Sequence, residues 1–173
     1  MVVWLSGLSG SGKTTLSKLL YKRLEQNLPN LVLLDGDDLR EALNISPGFD
    51  LESRRLNSIR YARLCQLLDA QGIHVICCAV SIDPDAQAEN RKKINNYIEV
   101  LVDVPLEVLR QRDPKDIYRR ADEGLLQNVS GVDIPFVAPR DPHLVIYNGD
   151  EAENLDEHVD RILIHVPEDL VPS

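Results

Sequence analysis

Residues 7–14 form a glycine-rich segment whose residue types and spacing are suited to binding phosphate. They read GLSGSGKT and match the pattern G-x-x-x-x-G-K-S/T in full. Glycines let backbone N–H groups wrap around a phosphate, and the N-terminus of a following helix favours an anion. Lys13 can reach the β- and γ-phosphates, and the Thr14 hydroxyl can ligate Mg²⁺. The segment therefore predicts binding of a nucleoside triphosphate, through residues Gly7, Leu8, Ser9, Gly10, Ser11, Gly12, Lys13, Thr14 and Thr15.

A second polar segment, Asp35 to Arg40, reads DGDDLR and follows the apolar run LVLL directly. In an open parallel sheet, ligands bind at the carboxyl ends of the strands, so we expect these carboxylates near the glycine-rich loop. A carboxylate there can assist a Mg²⁺ ion or accept a proton from an acceptor hydroxyl. The alternative interpretation is an Asp-Gly turn with aspartates that cap a helix.

Short apolar runs that alternate with helical patterns must position these two segments. The runs at 2–6, 31–35, 73–80, 98–104 and 144–148 are predicted strands. Leucines at 16, 19, 20 and 24 have helical spacing, and 51–72 and 151–165 are further predicted helices. The pattern indicates an α/β fold, a three-layer P-loop NTPase with a parallel sheet of about five strands flanked by helices. Such domains include small-molecule kinases, GTP switches, motors and transporter ATPases.

The length, the net charge and the absence of two motifs reduce the number of these protein classes that fit the sequence. The 173 residues are the length of one domain, and we expect a single P-loop kinase domain over 1–173. Nineteen basic residues against twenty-eight acidic ones give a net charge of −9, which argues against a nucleic-acid partner. No membrane span and no signal peptide are predicted, so a cytoplasmic location is expected. Neither an N-K-x-D guanine motif nor an L-S-G-G-Q signature is present, which favours a small-molecule kinase.

Two further features concern residues 112–139 and the cysteines. The segment 112–139 is charged and rich in Gly, Pro and Asp, which predicts a flexible flap over the site; a plain surface excursion is the alternative. Cys65, Cys77 and Cys78 do not have the spacing of a zinc site or a disulfide framework. We expect reduced thiols, with Cys77 and Cys78 on opposite faces of one strand.

Several motifs in order along the chain resemble the adenylylsulfate kinase family, which phosphorylates the 3′-hydroxyl of adenosine 5′-phosphosulfate. The family's G-L-S-G-x-G-K-T-T is complete at 7–15, and its D-G-D-N-L-R differs only at Asp38. Its G-F-S-x-E-D-R-x-E-N is mirrored at Gly48, Phe49, Glu52, Arg54 and Asn57. Later matches are Pro105, Arg112, Asp113, Pro114, Lys115, Tyr118, Gly131, Asp133 and Pro135. The resemblance spans roughly Val2 to Leu144.

The resemblance implies a role for each matching residue. Asp37 is the implied base or orienter of the acceptor hydroxyl and acts with Lys13, while Asp35 and Thr14 are the implied Mg²⁺ residues. Arg112 is implied at the ATP site, and a small-molecule nucleotide is the implied acceptor. The implied acceptor-binding residues are Asp37, Arg40, Phe49, Arg54, Asn57, Ser81, Lys115 and Val129, with Phe49 stacking on the base and Arg40, Arg54 and Asn57 at the phosphosulfate end. A homodimer is also implied.

Departures from the family pattern fall on the acceptor pocket. The family's second base-stacking phenylalanine is Val129 here, and the family's I-S-P-F/Y-R segment keeps only Ser81 of its polar and aromatic residues. Two interpretations remain: an adenylylsulfate kinase, or a related kinase for a nucleotide such as cytidine diphosphoramidate. A third class, a non-catalytic nucleotide-binding regulator, is less consistent with an acidic residue placed for an acceptor.

Overall fold

Five apolar runs pair as one parallel sheet in the computed structural model, which describes residues 1–44, 49–80, 83–149 and 154–171. The strands are β1 (Val2–Ser6), β2 (Leu31–Asp35), β3 (His74–Ala79), β4 (Tyr97–Asp103) and β5 (Leu144–Tyr147). Their order across the sheet is β2-β3-β1-β4-β5, and every neighbouring pair is parallel. The strands are nearly uniformly apolar because parallel sheets are covered on both faces.

Helices cover both faces of this sheet. They are α1 (Lys13–Leu24), α2 (Gly36–Ala42), α3 (Leu51–Ala70), α4 (Pro84–Lys93), α5 (Leu106–Arg112), α6 (Ile117–Asp122) and α7 (Leu155–Leu163), followed by a short 3₁₀ turn at Glu168–Leu170. Alternate residues of β1 point to opposite faces: Val3 and Leu5 pack in the core with α1 and α7, and Val2 and Trp4 pack in the core with α3 and α4. The predicted three-layer α/β fold is confirmed.

Most predicted strand bounds are confirmed to within one residue. β1 and β2 match the predicted runs, and β3 and β4 differ from them by single residues at their ends. The long helix ends at Ala70 rather than 72, since Gly72 has a φ of 77° and leaves the helical conformation. The last helix begins at Leu155, where the Asn154 side chain accepts a hydrogen bond from the Asp156 N–H. The predicted start at 151 lies outside the described residues.

Four helices were not predicted. α2, α5 and α6 have only six or seven residues, too few for a helical period to stand out. α4 is strongly polar, so it has no apolar periodicity that would indicate a helix. The sequence features that indicate it are at its N-terminus: Asp83 accepts hydrogen bonds from the N–H groups of Asp85 and Ala86, and Pro84 occupies the first turn. These helices fill the connections that the sequence pattern left unassigned.

The expectations for the cysteines are confirmed. All three thiols are free and buried, and Cys77 and Cys78 belong to the two different cores on opposite faces of the sheet. Among the residues that the structure describes, no helix combines the length and the hydropathy that crossing a membrane would need.

Candidate active site

The glycine-rich loop leaves the central strand of the sheet. β1 lies between β3 and β4, and residues 7–12 connect its carboxyl end to the first turn of α1. From β1 the chain continues through α1 to β2 on one side, whereas β4 and β5 lie on the other side. This reversal opens a crevice at the carboxyl edge, where ligands bind in open α/β sheets.

Two positions of the loop require glycine. Gly7 has a φ of 153°, and a Cβ there would overlap the carbonyl oxygen of Val102. Gly12 has a φ of 95° at the start of α1, and a Cβ there would meet the side-chain amide of Asn148. The loop is therefore pressed against the ends of β4 and β5, and only glycine fits at these contacts.

Asn148 supports the loop from the other side of the sheet. Its buried side-chain amide donates a hydrogen bond of 2.8 Å to the Ser11 carbonyl. The sequence pattern assigned it no role, because nothing local distinguishes it from the end of a strand. Its position one residue after β5 is the only sequence signal that directs it to the same edge as the loop.

Lys13 is folded back onto the loop that precedes it. Its Nζ donates to the Leu8 carbonyl at 2.6 Å and to the Ser11 hydroxyl at 3.4 Å. Burial lowers the pKa of Lys13 to about 8, and the charges of Asp35 and Asp37 oppose that shift. The ammonium thus lies within the loop, where a bound anionic group would stabilise its charged form and raise its pKa.

The Asp35 side chain is hydrogen-bonded both to α1, the helix that follows the glycine-rich loop, and to the second polar segment. Its carboxylate accepts hydrogen bonds from the Thr14 hydroxyl at 2.7 Å, the Asp37 N–H at 2.9 Å and the Cys78 thiol at 3.1 Å. Burial acts to raise the pKa of Asp35, but these donors hold it below its usual value. Asp35 is also the N-cap of α2, so the capping alternative is correct for this residue.

The Asp35 carboxylate and the Thr14 hydroxyl provide oxygen ligands that suit Mg²⁺. Both ligands are oxygens, and Mg²⁺ in nucleotide sites is held by one or two protein oxygens together with phosphate oxygens and water. The part of the chain that the structure describes contains no group of three or more His, Cys, Asp or Glu side chains able to hold a metal alone. A magnesium ion held by these two oxygens would depend on a bound nucleotide and water for its remaining ligands.

Asp37 is exposed and forms an ion pair with Lys115. The pair joins the first turn of α2 to the segment 112–139, and the two side chains are 68% and 52% exposed respectively. Asp37 lies two residues beyond Asp35 and shares the cavity with Lys13 and Thr14. Its carboxylate therefore lies on the open side of the site, where an acceptor hydroxyl can approach.

The segment 112–139 is attached to the glycine-rich loop at its base. It contains α6, and the buried Tyr118 donates a hydrogen bond of 2.8 Å to the Ser9 carbonyl. Tyr118 packs in a small cluster with Val104, Leu109 and Val129. The sequence identified Tyr118 only as part of a family motif and did not predict its contact with the loop. The flexibility of this segment stays a prediction.

Two arginines lie close to the ring of Phe49. The Arg40 guanidinium is 4.7 Å from the centroid of the Phe49 ring, and the Arg54 guanidinium is 5.7 Å from it. Burial, followed by the charge of Arg40, lowers the pKa of Arg54. These three residues, which the sequence assigned to acceptor binding, are brought together at one wall of the cavity.

Two buried polar groups at the cavity have no partner among the described residues. The Asn57 side chain is 2% exposed; its Oδ1 accepts from Arg60 at 3.0 Å, but its Nδ2 makes no hydrogen bond there. The Ser130 hydroxyl, next to Val129, is likewise unpaired within the described ranges. A buried donor without a partner is costly, so both groups are suited to a ligand.

Most of the predicted site residues line one cavity of about 670 Å³. Those that line it are Ser9, Gly10, Gly12, Lys13, Thr14, Thr15, Asp35, Asp37, Arg40, Phe49, Arg54, Asn57, Lys115 and Val129. Gly7, Leu8 and Ser11 belong to the loop behind it. Arg112 is not in the lining and donates to the Gly149 carbonyl at 3.4 Å. Ser81 lies outside the described residues. Sequence reasoning missed Cys78 and Ser130, which also line the cavity.

Comparison with known proteins yields a consistent set of relatives. The family model described as adenylylsulphate kinase matches residues 1–147. The chain is 39% identical over 164 residues to an adenylyl-sulfate kinase of Gloeothece citriformis strain PCC 7424, which covers 94% of this chain and 92% of the relative. It is 38% identical over 162 residues to a cytidine diphosphoramidate kinase of Campylobacter jejuni, with 94% of each chain covered.

A solved structure has the same fold and similar extent. The APS kinase of Mycobacterium tuberculosis, in complex with AMPPNP and APS, superposes with a TM-score of 0.83 at 32% identity. The match covers 95% of this chain and 96% of that one. The similarity therefore extends over nearly the whole of both chains.

We predict that Asn148→Ala weakens nucleotide binding about fivefold, because the Ser11 carbonyl loses a buried hydrogen bond whose net contribution is about 1 kcal/mol. The dissociation constant of ADP, measured by calorimetry, tests this. Tyr147→Ala is the matched control, since the neighbouring Tyr147 side chain is largely exposed. An unchanged affinity in Asn148→Ala would mean that the loop keeps its conformation without this support.

Proposed function

Because the chain belongs to the adenylylsulfate kinase family, we propose that it transfers the γ-phosphoryl group of ATP to the 3′-hydroxyl of adenosine 5′-phosphosulfate (APS). The observation that carries this proposal is the single cavity shared by the glycine-rich loop, by Asp37 and by the Phe49 wall. A donor nucleotide on the loop and an acceptor against Phe49 would thus lie within the same cavity. ATP and the acceptor are the partners required, and a homodimer stays a prediction.

The donor half of the site binds the triphosphate. The backbone N–H groups of residues 7–15 and the Lys13 ammonium hold the phosphate oxygens, with Lys13 turning from the Leu8 carbonyl to the phosphates. Thr14 and Asp35 would hold Mg²⁺, which offsets negative charge on the β- and γ-phosphates when bound. Arg112 is the remaining predicted ATP contact. Its hydrogen bond to Gly149, outside the cavity lining, means that it would have to change partner to reach the nucleotide.

The acceptor half orients the hydroxyl that is phosphorylated. Asp37 accepts the proton of the 3′-hydroxyl while the new P–O bond forms and ADP leaves, which requires that Lys115 releases its carboxylate. Lys115 is then available to the negative charge of the reacting phosphates. Arg40 and the unpaired amide of Asn57 suit the anionic 5′ end of the acceptor, and Phe49 suits its base. Ser81 remains a predicted acceptor residue.

A second candidate acceptor is cytidine diphosphoramidate. Val129 supports it, since this side chain lines the cavity where the family carries a second aromatic residue, and a valine offers the base no π-face. The relative from Campylobacter jejuni, whose name gives that substrate, is about as similar to this chain as the adenylyl-sulfate kinases are. The two candidates differ in the base and the 5′ group and share the donor chemistry.

An acceptor panel tests the proposal. Release of ADP from ATP and Mg²⁺ is measured with APS, with cytidine diphosphoramidate, with CDP and with water alone. Selective turnover of APS supports the proposed function, and turnover of a cytidine nucleotide alone replaces it with the second candidate. Tight ATP binding without any turnover would contradict both and favour a non-catalytic regulator.

We predict that Asp37→Asn lowers kcat by about 100- to 10,000-fold, the range for loss of a general base. The affinity for ADP should change little, because the hydrogen-bond partner of the Asp37 carboxylate is Lys115 of the segment 112–139. Single-turnover kinetics together with ADP calorimetry separate the two effects. The control is Asp38→Asn, a neighbouring carboxylate in the same cavity. Equal turnover in Asp37→Asn and the wild type would remove Asp37 from the reaction.

We predict that Val129→Phe raises kcat/KM for APS by about tenfold, because base–aromatic stacking contributes ~1–3 kcal/mol. Val132→Phe is the matched control, since Val132 is partly exposed and is not part of the cavity lining. Thermal unfolding must accompany the kinetics, as Val129 is also packed against Tyr118 and Leu109. With stability preserved, an unchanged kcat/KM would show that Val129 does not flank the base.

A further inference from the structure

Two buried side chains, Ser17 on α1 and Cys78 on β3, contact Thr14 and Asp35 from the protein core. Ser17 is fully buried and Cys78 is 2% exposed. The Ser17 hydroxyl lies 3.2 Å from the Cys78 sulfur and 3.1 Å from the Thr14 carbonyl oxygen, and it can donate to either. The Cys78 thiol donates to Oδ2 of Asp35 at 3.1 Å. The two side chains therefore link the helix after the glycine-rich loop to the carboxylate at the end of β2.

The orientation of the Asp35 carboxylate is set by its hydrogen-bond donors. Rotation about the Cβ–Cγ bond of an aspartate has only broad preferences, so hydrogen bonds decide which way the two oxygens face. Oδ1 accepts from the Asp37 N–H, and Oδ2 accepts from the Thr14 hydroxyl and the Cys78 thiol. Thr14 is itself suited to bind Mg²⁺, so its hydroxyl would serve the ion as well. Cys78 contacts Oδ2 from the core side and fixes it independently of the ion.

We propose that Ser17 and Cys78 are a positioning pair, which holds Asp35 and Thr14 in the orientation that Mg²⁺ needs and so increases the contribution of Mg²⁺ to nucleotide affinity. This inference rests on the proposed function, because it takes Thr14 and Asp35 as the magnesium residues. A thiol is a weak hydrogen-bond donor. It can therefore fix the direction of the carboxylate and leave most of the negative charge of Oδ2 to the ion.

A positioning role differs from a packing role in what it affects. Cys78 also belongs to the hydrophobic core on its face of the sheet. Loss of packing there would weaken nucleotide binding to the same degree with and without Mg²⁺. Loss of the carboxylate orientation would weaken binding only when the ion is present. The dependence on Mg²⁺ therefore distinguishes the two roles.

Calorimetric titration with ADP, once with excess Mg²⁺ and once with EDTA, measures this dependence. Cys78→Ala removes the donor, and Cys78→Ser keeps a hydroxyl donor at the same position. Cys77→Ala is the matched control, because it is the same substitution at the preceding residue of β3, whose side chain packs in the core on the opposite face of the sheet. Thermal unfolding of each variant reports the loss of packing.

We expect Cys78→Ala to weaken binding of ADP with Mg²⁺ about fivefold, the equivalent of one hydrogen bond, and to leave binding in EDTA unchanged. Ser17→Ala, which keeps the thiol, should give a loss of about twofold, again only with Mg²⁺. Cys78→Ser and Cys77→Ala should bind ADP as the wild type does under both conditions. Equal weakening of Cys78→Ala with and without Mg²⁺, or no weakening at all, would overturn the proposal, as would a Cys78→Ser variant that binds no better than Cys78→Ala.

The exchange rate of the Asp37 amide hydrogen tests the orientation of Asp35 without any ligand. This amide donates to Oδ1 of the same carboxylate, so a carboxylate that rotates more freely protects it less. In the unliganded protein, exchange at Asp37 measured by NMR should be about fivefold faster in Cys78→Ala and unchanged in Cys78→Ser and Cys77→Ala. A wild-type rate at Asp37 in Cys78→Ala would overturn the proposal.

The proposed function can fail separately from this inference. The two measurements use only ADP and Mg²⁺, so an acceptor panel without turnover would contradict the phosphoryl transfer and leave their outcome intact. If Mg²⁺ does not strengthen ADP binding to the wild type, the magnesium site is wrong, and with it the magnesium role of the pair. The exchange rate at Asp37 then still decides whether Ser17 and Cys78 orient the Asp35 carboxylate.

Discussion

The Asp35 carboxylate is the interaction on which the arrangement of the site depends. It lies at the end of β2 and accepts hydrogen bonds from the backbone of α2, from Thr14 on α1 and from Cys78 on β3. A buried carboxylate is tolerated only where its oxygens are satisfied, so the four elements are held at fixed positions around it. The same carboxylate starts α2 and thereby directs Asp37 to the open side of the cavity.

The two halves of the site are built in different ways. The donor half consists of the backbone and side chains of the glycine-rich loop and of the elements that follow the central strands. Asn148 and Tyr118 donate hydrogen bonds to carbonyls of this loop from neighbouring elements. The acceptor half is formed by side chains at the start of α3 and in the segment 112–139, joined by the Arg54 guanidinium. The two halves are connected through Val129, which packs in the same cluster as the Tyr118 that supports the loop.

Local patterns in the sequence were sufficient for the strands, for the helices α1, α3 and α7, and for the glycine-rich loop. These features depend on apolar periodicity and on a contiguous motif, both of which a single sequence displays. The residues that the sequence pattern missed act across long separations: Asn148 reaches Ser11, Tyr118 reaches Ser9 and Cys78 reaches Asp35. The order of the strands in the sheet decides which of these residues meet, and a local sequence pattern does not contain that order. The resemblance located Arg54 in the acceptor pocket, but only the coordinates reveal that its donors are directed at the carbonyls of Phe49 and Asn128.

The exposure of the Lys115–Asp37 pair bears on how strongly an acceptor can be bound. An ion pair between solvent-exposed side chains contributes about 0–1 kcal/mol, whereas breaking a buried pair costs several times as much. Since both partners here are more than half exposed, separating Lys115 from Asp37 costs little free energy. In the proposed function, an acceptor hydroxyl can therefore take the place of Lys115 with little loss of affinity. In the proposed function, Lys115 therefore neutralises Asp37 until an acceptor binds, and its release makes the ammonium available to the reacting phosphates.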